Sequence, residues 1–519
     1  MKSRNLVLLA TVIAALFLLT LILSVTGITL ASIEPPAGAD SPPITLNISQ
    51  PFYPELDPAL VNDESVNVVE QLFAGLFDVD DETGEAVPEL VTSWDVSSDR
   101  TVYTFTLRGD ADWSDGNPVT AADARYGILR SLDPATGSPL AYSLYIINNA
   151  QDYNEGNIVD PGLVGVHVLG PTTLRIELRE PASHLPAILA GTVAYPMPQW
   201  AIDAHGTPAW TLPANIVSSG AYEFAESLPD DILILEKDPD HFQAGEVQIE
   251  QVNLWIRNSN YAWQMYLDGE LDTVTVRDEI SVDPGLADEI GWRSQAGTYF
   301  LGFSESQPPF DDPLVRKAFS AALDRPALVS GLYGDARQPT LTFIPPDVFG
   351  HVDGYVEGVG LPYNPAQAQT WLSDAGYPGG AGLPPVTLWV NESSGHEAVA
   401  AAVRDSWYAT LGVSATLQTL PWPDYLDFTN TGGAQVWRLG WLADFLEGRN
   451  FLADSVSSNQ GRFGGWSNAA YDNFINQAMS EMDPAARALL YKQAEEILVE
   501  TDAIMAPLFN YGERVATKP

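Results

Sequence analysis

Ten consecutive residues constrain this chain most: Val436 to Phe445, reading Val-Trp-Arg-Leu-Gly-Trp-Leu-Ala-Asp-Phe. Trp437, Leu439, Trp441, Ala443 and Phe445 recur at period two and are all apolar, the pattern of a buried β-strand. The alternate positions Val436, Arg438, Gly440, Leu442 and Asp444 carry one cation and one anion on either side of a glycine, and an in-strand glycine often marks a close approach by another backbone. Six extended residues span about 20 Å, so Arg438 and Asp444 cannot simply pair with each other. The spacing suits an extended zwitterion such as a short peptide, with its amine at Asp444 and its carboxylate at Arg438. From these ten residues alone the commoner reading is that each charge meets an ordinary structural partner or water, since most charged residues are exposed or paired.

The charge balance narrows the partners. The 24 Lys plus Arg stand against 68 Asp plus Glu, a formal net charge of -44. Such a field repels nucleic acid and anionic membrane surfaces and tolerates cationic or zwitterionic solutes. The lysines are only Lys2, Lys237, Lys317, Lys492 and Lys518, a surface composition compatible with a saline habitat. With 519 residues and 45% hydrophobic content, the chain is long enough for two or three well-cored domains. No cysteine is present, which excludes disulfides, thiolate metal sites, cysteine nucleophiles and a lipid-modified N-terminal cysteine.

Lys2 and Arg4 precede an uncharged run from Asn5 to Ser32, longer than an ordinary signal-peptide core and long enough to span a bilayer. The positive flank places the N-terminus inside. Residues 1–32 are therefore expected to be a signal peptide or membrane anchor, with Thr29-Leu30-Ala31 as the candidate cleavage site. Residues 33–43, rich in proline, form a stem, and the folded part is extracytoplasmic.

Along the folded part, a strand is predicted over Ile44–Ser49 and an amphipathic helix over Ser65–Phe77. A strand follows over Val102–Leu107, then a turn at Asp115-Gly116 and a helix capped by Thr120. Asp312 and Pro313 are start signals for another helix. Further helices are expected over Asn364–Gly376, Ala398–Gly412 and Pro484–Val499, then a strand over Met505–Asn510.

Several segments stand in one long ordered register: Leu56-Asp57-Pro58, Pro88 to Trp94, Tyr103 to Arg108, Trp113-Ser114-Asp115-Gly116, Val119-Thr120-Ala121 with Asp123, and Arg130 with Asp133-Pro134. Ser218 to Tyr222, Leu233 to His241, Ala262 to Asp272 and Asp311 to Asp324 extend it. Together they resemble the extracytoplasmic solute-binding proteins of family 5, the oligopeptide, dipeptide and nickel receptors of ABC importers. The resemblance implies an α/β fold, a two-lobed clamp of the type II periplasmic-binding-protein kind with an extra subdomain, preceded here by the N-terminal hydrophobic helix. It places residues 44–61, 185–278 and 501–519 in lobe I, 62–184 in an inserted subdomain of that lobe, and 279–500 in lobe II. It implies a receptor without enzymatic activity, with no cofactor, acting as a monomer with a short peptide ligand and permease subunits as partners.

Within the resemblance, Trp441 to Asp444 looks like the segment whose aspartate takes the peptide's amino terminus, and Arg438 matches an arginine that some members use for the carboxylate. Gly440 and Leu442 would offer main-chain groups for strand-like pairing. Tyr126 matches a tyrosine near the cleft in some relatives, although a ring on an amphipathic helix is often simply buried. Trp422 and Trp466 are candidate pocket walls. Glu447-Gly448 departs from the acidic residue and proline usual in the family, so the following loop is expected to differ. The chain also stops at Lys518-Pro519, where members usually continue. The six histidines show no metal-ligand spacing, and no phosphate loop or nucleophile elbow occurs. The alternatives are the same fold carrying an oligosaccharide, a nickel chelate or an opine-like solute, or a different class altogether, a secreted glycoside hydrolase or a sensory receptor subunit.

Overall fold

A computed structural model of the chain describes residues 44–61, 65–228, 231–278 and 280–519. The expected N-terminal helix and stem lie outside the described residues. Thr45 to Pro519 form one compact unit.

The architecture is mixed α/β. Its largest sheet has the strands Thr273–Val276, Met505–Thr517, Ile290–Phe303, Val436–Leu442, Val386–Asn391 and Ala415–Leu420 in that order, with Gln338–Pro339 added against Met505–Thr517. Alternation explains why this sheet is covered on both faces. Tyr299, Leu301, Phe303 and Val436 enter one core with Phe310, Phe319 and Trp407, while Phe300, Trp437 and Leu439 enter the opposite core with Phe343 and Phe451. A second sheet joins Thr45–Gln50, Gln251–Ile256, Ile232–Lys237 and Tyr222–Leu228, and a third joins Val91–Val96, Val102–Leu107, Thr173–Glu177 and Val166–Gly170. The third has its own core between Leu76 and Ala194. The strand Met505–Thr517 lies antiparallel beside Ile290–Phe303 for most of its length.

Capping chemistry sets the helix starts. Thr120 and Asp123 form a capping box at the start of Ala121–Leu132, the Thr120 amide donating to the Asp123 carboxylate at 2.8 Å. Asp312 accepts from the Leu314 amide at 2.8 Å, and Pro313 occupies the first helical position. Asn364 caps Pro365–Asp374, and Gly412 ends Ser394–Leu411 at φ 71°.

Some expectations move. The helix predicted over Ser65–Phe77 is Val66–Leu72 only, because Phe73 is already extended and Phe77–Val79 forms a strand with Ala86–Pro88. The helix beginning at Pro484 ends as α-helix at Glu496 and passes into a π-helical turn, Ile497–Thr501. The last strand runs to Thr517 rather than Asn510, since its second half pairs with Ile290–Ser294 and Thr273–Val276.

Two residues of the ordered signature meet in the interior. Arg130 donates from both terminal nitrogens to the two carboxylate oxygens of Asp57, at 2.7 and 2.6 Å, and the Trp210 indole adds a third donor at 2.9 Å. Both charged side chains are buried. This bidentate pair joins the loop after the first strand to the helix Ala121–Leu132.

Candidate functional site

The stretch Val436 to Phe445 is a strand only to Leu442. Its antiparallel neighbour Ile290–Phe303 pairs from Val436 opposite Phe303 to Leu442 opposite Gly297, and beyond Gly297 that neighbour is interrupted by a bulge. Ala443 adds one hydrogen bond, to the Ala296 carbonyl at 2.9 Å. Asp444 then turns away because its amide is taken by the Asn450 side chain at 3.2 Å. Asp444 therefore sits on a loop, two residues past the end of the strand. Phe445 also leaves the face shared by Trp437, Leu439 and Trp441, and stacks on His184 at 6.0 Å between ring centroids.

The other edge of the strand is largely open. The parallel neighbour Val386–Asn391 pairs only with Val436 and Trp437. Odd-numbered residues direct their main-chain groups toward Ile290–Phe303, as the Ala443 bond shows, so Arg438, Gly440 and Leu442 direct theirs the opposite way. At Arg438 that edge is filled by the Tyr425 hydroxyl, which donates to the Arg438 carbonyl at 2.6 Å and accepts from its amide at 3.0 Å. At Gly440 and Leu442 no described residue takes the place of a neighbouring strand. The glycine has a structural role as well. A Cβ on Gly440 would lie 2.2 Å from the Tyr511 hydroxyl oxygen, so its close neighbour on the side-chain face is this tyrosine rather than a backbone.

Arg438 is 6% exposed, donates to the Asn391 side-chain oxygen, and lies 5.4 Å from the Tyr299 ring centroid and 5.9 Å from that of Trp422. No carboxylate among the described residues pairs with it, and its Nε has no partner. The buried Tyr299 hydroxyl beside it also lacks a partner. Burial and the guanidinium push the His396 imidazole down to about 4, which keeps it neutral. This pole is thus a buried cation with an unpaired donor and no counter-charge among the described residues.

Asp444 forms the second pole. Tyr142 donates its hydroxyl to Oδ1, and Asn450 donates Nδ2 to Oδ2 at 3.0 Å. Burial and then the bond to Asp444 raise the Tyr142 hydroxyl above its ordinary range, so it remains a donor. A cavity of about 310 Å³ opens here, lined among others by Tyr142, His184, Trp441, Asp444 and Arg449. His184 is driven neutral first by burial and then by Arg449 and Arg487, and its Nε2 faces an Arg449 terminal nitrogen at 3.2 Å.

The altered loop is firmly packed. Glu447 is buried against Arg487 at 3.0 Å, and Gly448 fits where a Cβ would lie 2.9 Å from the Tyr491 ring and 3.0 Å from Ile344.

Arg438, Gly440, Trp441, Leu442 and Asp444 are thereby brought together along one strand and its exit, with Trp422 beside Arg438. Tyr126 is placed elsewhere, half-buried against the core that holds Trp113, Trp210 and Met197. Trp466 is buried with its indole donating to Asp502 at 2.8 Å, and it lines a separate cavity of about 410 Å³ with Leu452, Phe463 and Tyr471. The residues that sequence reasoning missed are Asn391, His396, Tyr299 and Tyr511 at the first pole and Tyr142 and Asn450 at the second. Tyr142 is 302 positions from Asp444 and carries no local signal. Asn450 lies within the loop marked as divergent. No cluster of three potential metal-ligating side chains occurs among the described residues.

The sequence pattern of the bacterial extracellular solute-binding proteins, family 5 Middle, matches residues 85–463. The periplasmic murein peptide-binding protein MppA of Escherichia coli (strain K12) is 33% identical over 474 residues, covering 89% of this chain and 87% of the relative. The unliganded open form of MppA superposes with a TM-score of 0.84 at 31% identity, over 92% of this chain and 94% of that one. OppA of Haemophilus influenzae in complex with the peptide RPPGFSPFR gives 0.61 at 27% identity, over 92% and 95%. By the matched residues, the chain belongs to the extracellular solute-binding proteins of family 5, which bind solutes and do not catalyse reactions.

Proposed function

We propose that this protein is the substrate-binding receptor of an ABC importer and captures short peptides in a cleft between two lobes for delivery to permease subunits. The observation that carries the reading is the run Arg438, Gly440, Leu442, Asp444. An unpaired buried cation, two main-chain positions on an open strand edge and a carboxylate follow one another along the chain. A peptide with its amine at Asp444 and its carboxylate at Arg438 runs opposite to the strand Val436–Leu442 and so adds to it as an antiparallel neighbour. Backbone pairing at Gly440 and Leu442 gives affinity independent of side-chain identity, and the two poles select the termini. The peptide-binding names of MppA and OppA and the bound peptide in the Haemophilus structure support the same cargo. The better superposition on the unliganded open form fits a clamp awaiting ligand, and ligand then works by shifting an open–closed equilibrium.

The test is calorimetric titration of the purified chain with peptides of two to five residues, each free, N-acetylated and C-amidated. Free peptides are expected to bind, with acetylation or Asp444→Asn each weakening binding by about ten- to a hundredfold, the scale of a lost charge-assisted bond. Equal binding of free and acetylated peptides refutes the amine anchor. Silence toward every peptide, with binding of an oligosaccharide or a nickel chelate, moves the cargo while leaving the family intact.

A further inference from the structure

We propose that Asn450 is the positioning residue of the amine pole: it fixes the rotamer of Asp444 and ties that carboxylate to the strand that receives the ligand backbone. The inference rests on the reading of Asp444 as the ammonium anchor. Asn450 is 1% exposed and is the first residue of a π-helical turn, Asn450–Ser455, a geometry that recurs at functional sites. Its Oδ1 accepts from the Trp441 indole at 2.9 Å and from the Asp444 amide at 3.2 Å, and its Nδ2 donates to Asp444 Oδ2 at 3.0 Å.

The orientation of the amide is forced. The indole and the main-chain N–H can only donate, so the oxygen must face them, which leaves the NH₂ group facing the carboxylate. Of the small polar side chains, only asparagine supplies this combination at this length: aspartate would oppose a second carboxylate to Asp444, and serine has too short a reach to serve three partners.

The arrangement solves a problem created by the early end of the strand. A carboxylate on a loop has rotamer freedom, and freezing it at the moment of binding reduces affinity. Asn450 removes that freedom beforehand from the Oδ2 side, while Tyr142 engages Oδ1, and each oxygen keeps a lone pair for the ligand. Because Trp441 belongs to the strand and Asn450 holds both its indole and Asp444, the amine pole stays in register with Gly440 and Leu442. The buried Glu447–Arg487 pair and the tightly enclosed Gly448 keep the loop in the path that brings Asn450 there. Arg179, Arg449 and Asp454 line the same cavity; Arg449 faces Asp454 at 3.5 Å, and the Asp454 carboxylate also bonds Asn450.

The test compares affinities for one free and one N-acetylated tripeptide in the wild-type chain, Asn450→Ala and Trp441→Phe, with thermal unfolding of each. The expected result is that Asn450→Ala lowers the free-over-acetylated affinity ratio by about tenfold. Trp441→Phe, which deletes the indole donor together with part of the ring, lowers it by about threefold. A fall in both affinities together with an unchanged ratio makes Asn450 a purely structural residue and overturns the proposal. Should Asn450→Ala not fold, the ratio in Trp441→Phe decides, an unchanged ratio overturning it. Absence of any preference for the free amine in the wild type overturns the Asp444 reading itself, an outcome distinct from a wild-type preference that Asn450→Ala preserves.

Discussion

Replacing Arg438 by methionine is expected to separate binding from stability, because the charge is buried without a counter-charge. Arg438 is 6% exposed, has no carboxylate partner among the described residues, and leaves Nε unbonded. Methionine keeps most of the apolar stem. In the unliganded protein the substitution loses a charge-assisted bond to Asn391, about 1.5–3 kcal/mol, and two ring contacts at 5.4 and 5.9 Å, about 2 kcal/mol each when desolvated. Against this stands the relief of a desolvated, unpaired cation, worth several kcal/mol. The two sides are of similar size, so the balance predicts a protein within about 1–2 kcal/mol of wild type. Binding moves the other way. A ligand carboxylate loses its partner, which costs about 3 kcal/mol or about 150-fold in affinity, while the C-terminal amide of the same peptide changes by no more than about threefold. Calorimetric titration with acid and amide, beside denaturant unfolding of the free protein, measures both halves. Destabilisation of the free protein together with equal loss of acid and amide would refute the carboxylate pole and make Arg438 a fold residue.

Two other perturbations bear on the scaffold. Asp57→Ala leaves Arg130 buried without its bidentate partner and is expected to lower stability by about 3–5 kcal/mol in urea unfolding, with Asp57→Leu/Arg130→Met recovering much of it. Glu495 is buried, accepts the Phe343 and Ile344 amides through Oε1, and is pushed by burial from 4.5 up to about 8. Its folded form holds a proton that the unfolded chain releases, so its contribution falls as pH rises between those two values. Glu495→Gln keeps the acceptor and removes the titration. Its stability relative to wild type is expected to rise by about 2 kcal/mol from about pH 5 to about pH 7, and parallel stability–pH curves would exclude the effect.

Much of this molecule is written locally. Period-two alternation in Val436 to Leu442 determined a strand with a tryptophan face and a charged face, and Asp312-Pro313, Thr120 with Asp123, and Asn364 determined helix starts, because capping and periodicity act within a few residues. The two charges of the site were legible for the same reason, lying in one short stretch. Tertiary structure alone decided where the strand stops, since that depends on a bulge in Ile290–Phe303. It also decided which edge stays open, since that depends on how far Val386–Asn391 runs alongside. It decided that Tyr142 reaches Asp444 across 302 positions, that Asp57 finds Arg130 across 73, and that Tyr126, on a correctly placed helix, turns toward a core. Periodicity tells which residues share a face. What that face meets, and which charge is left without a partner, is set by contacts distant in sequence, as the buried Arg438 without a carboxylate partner shows.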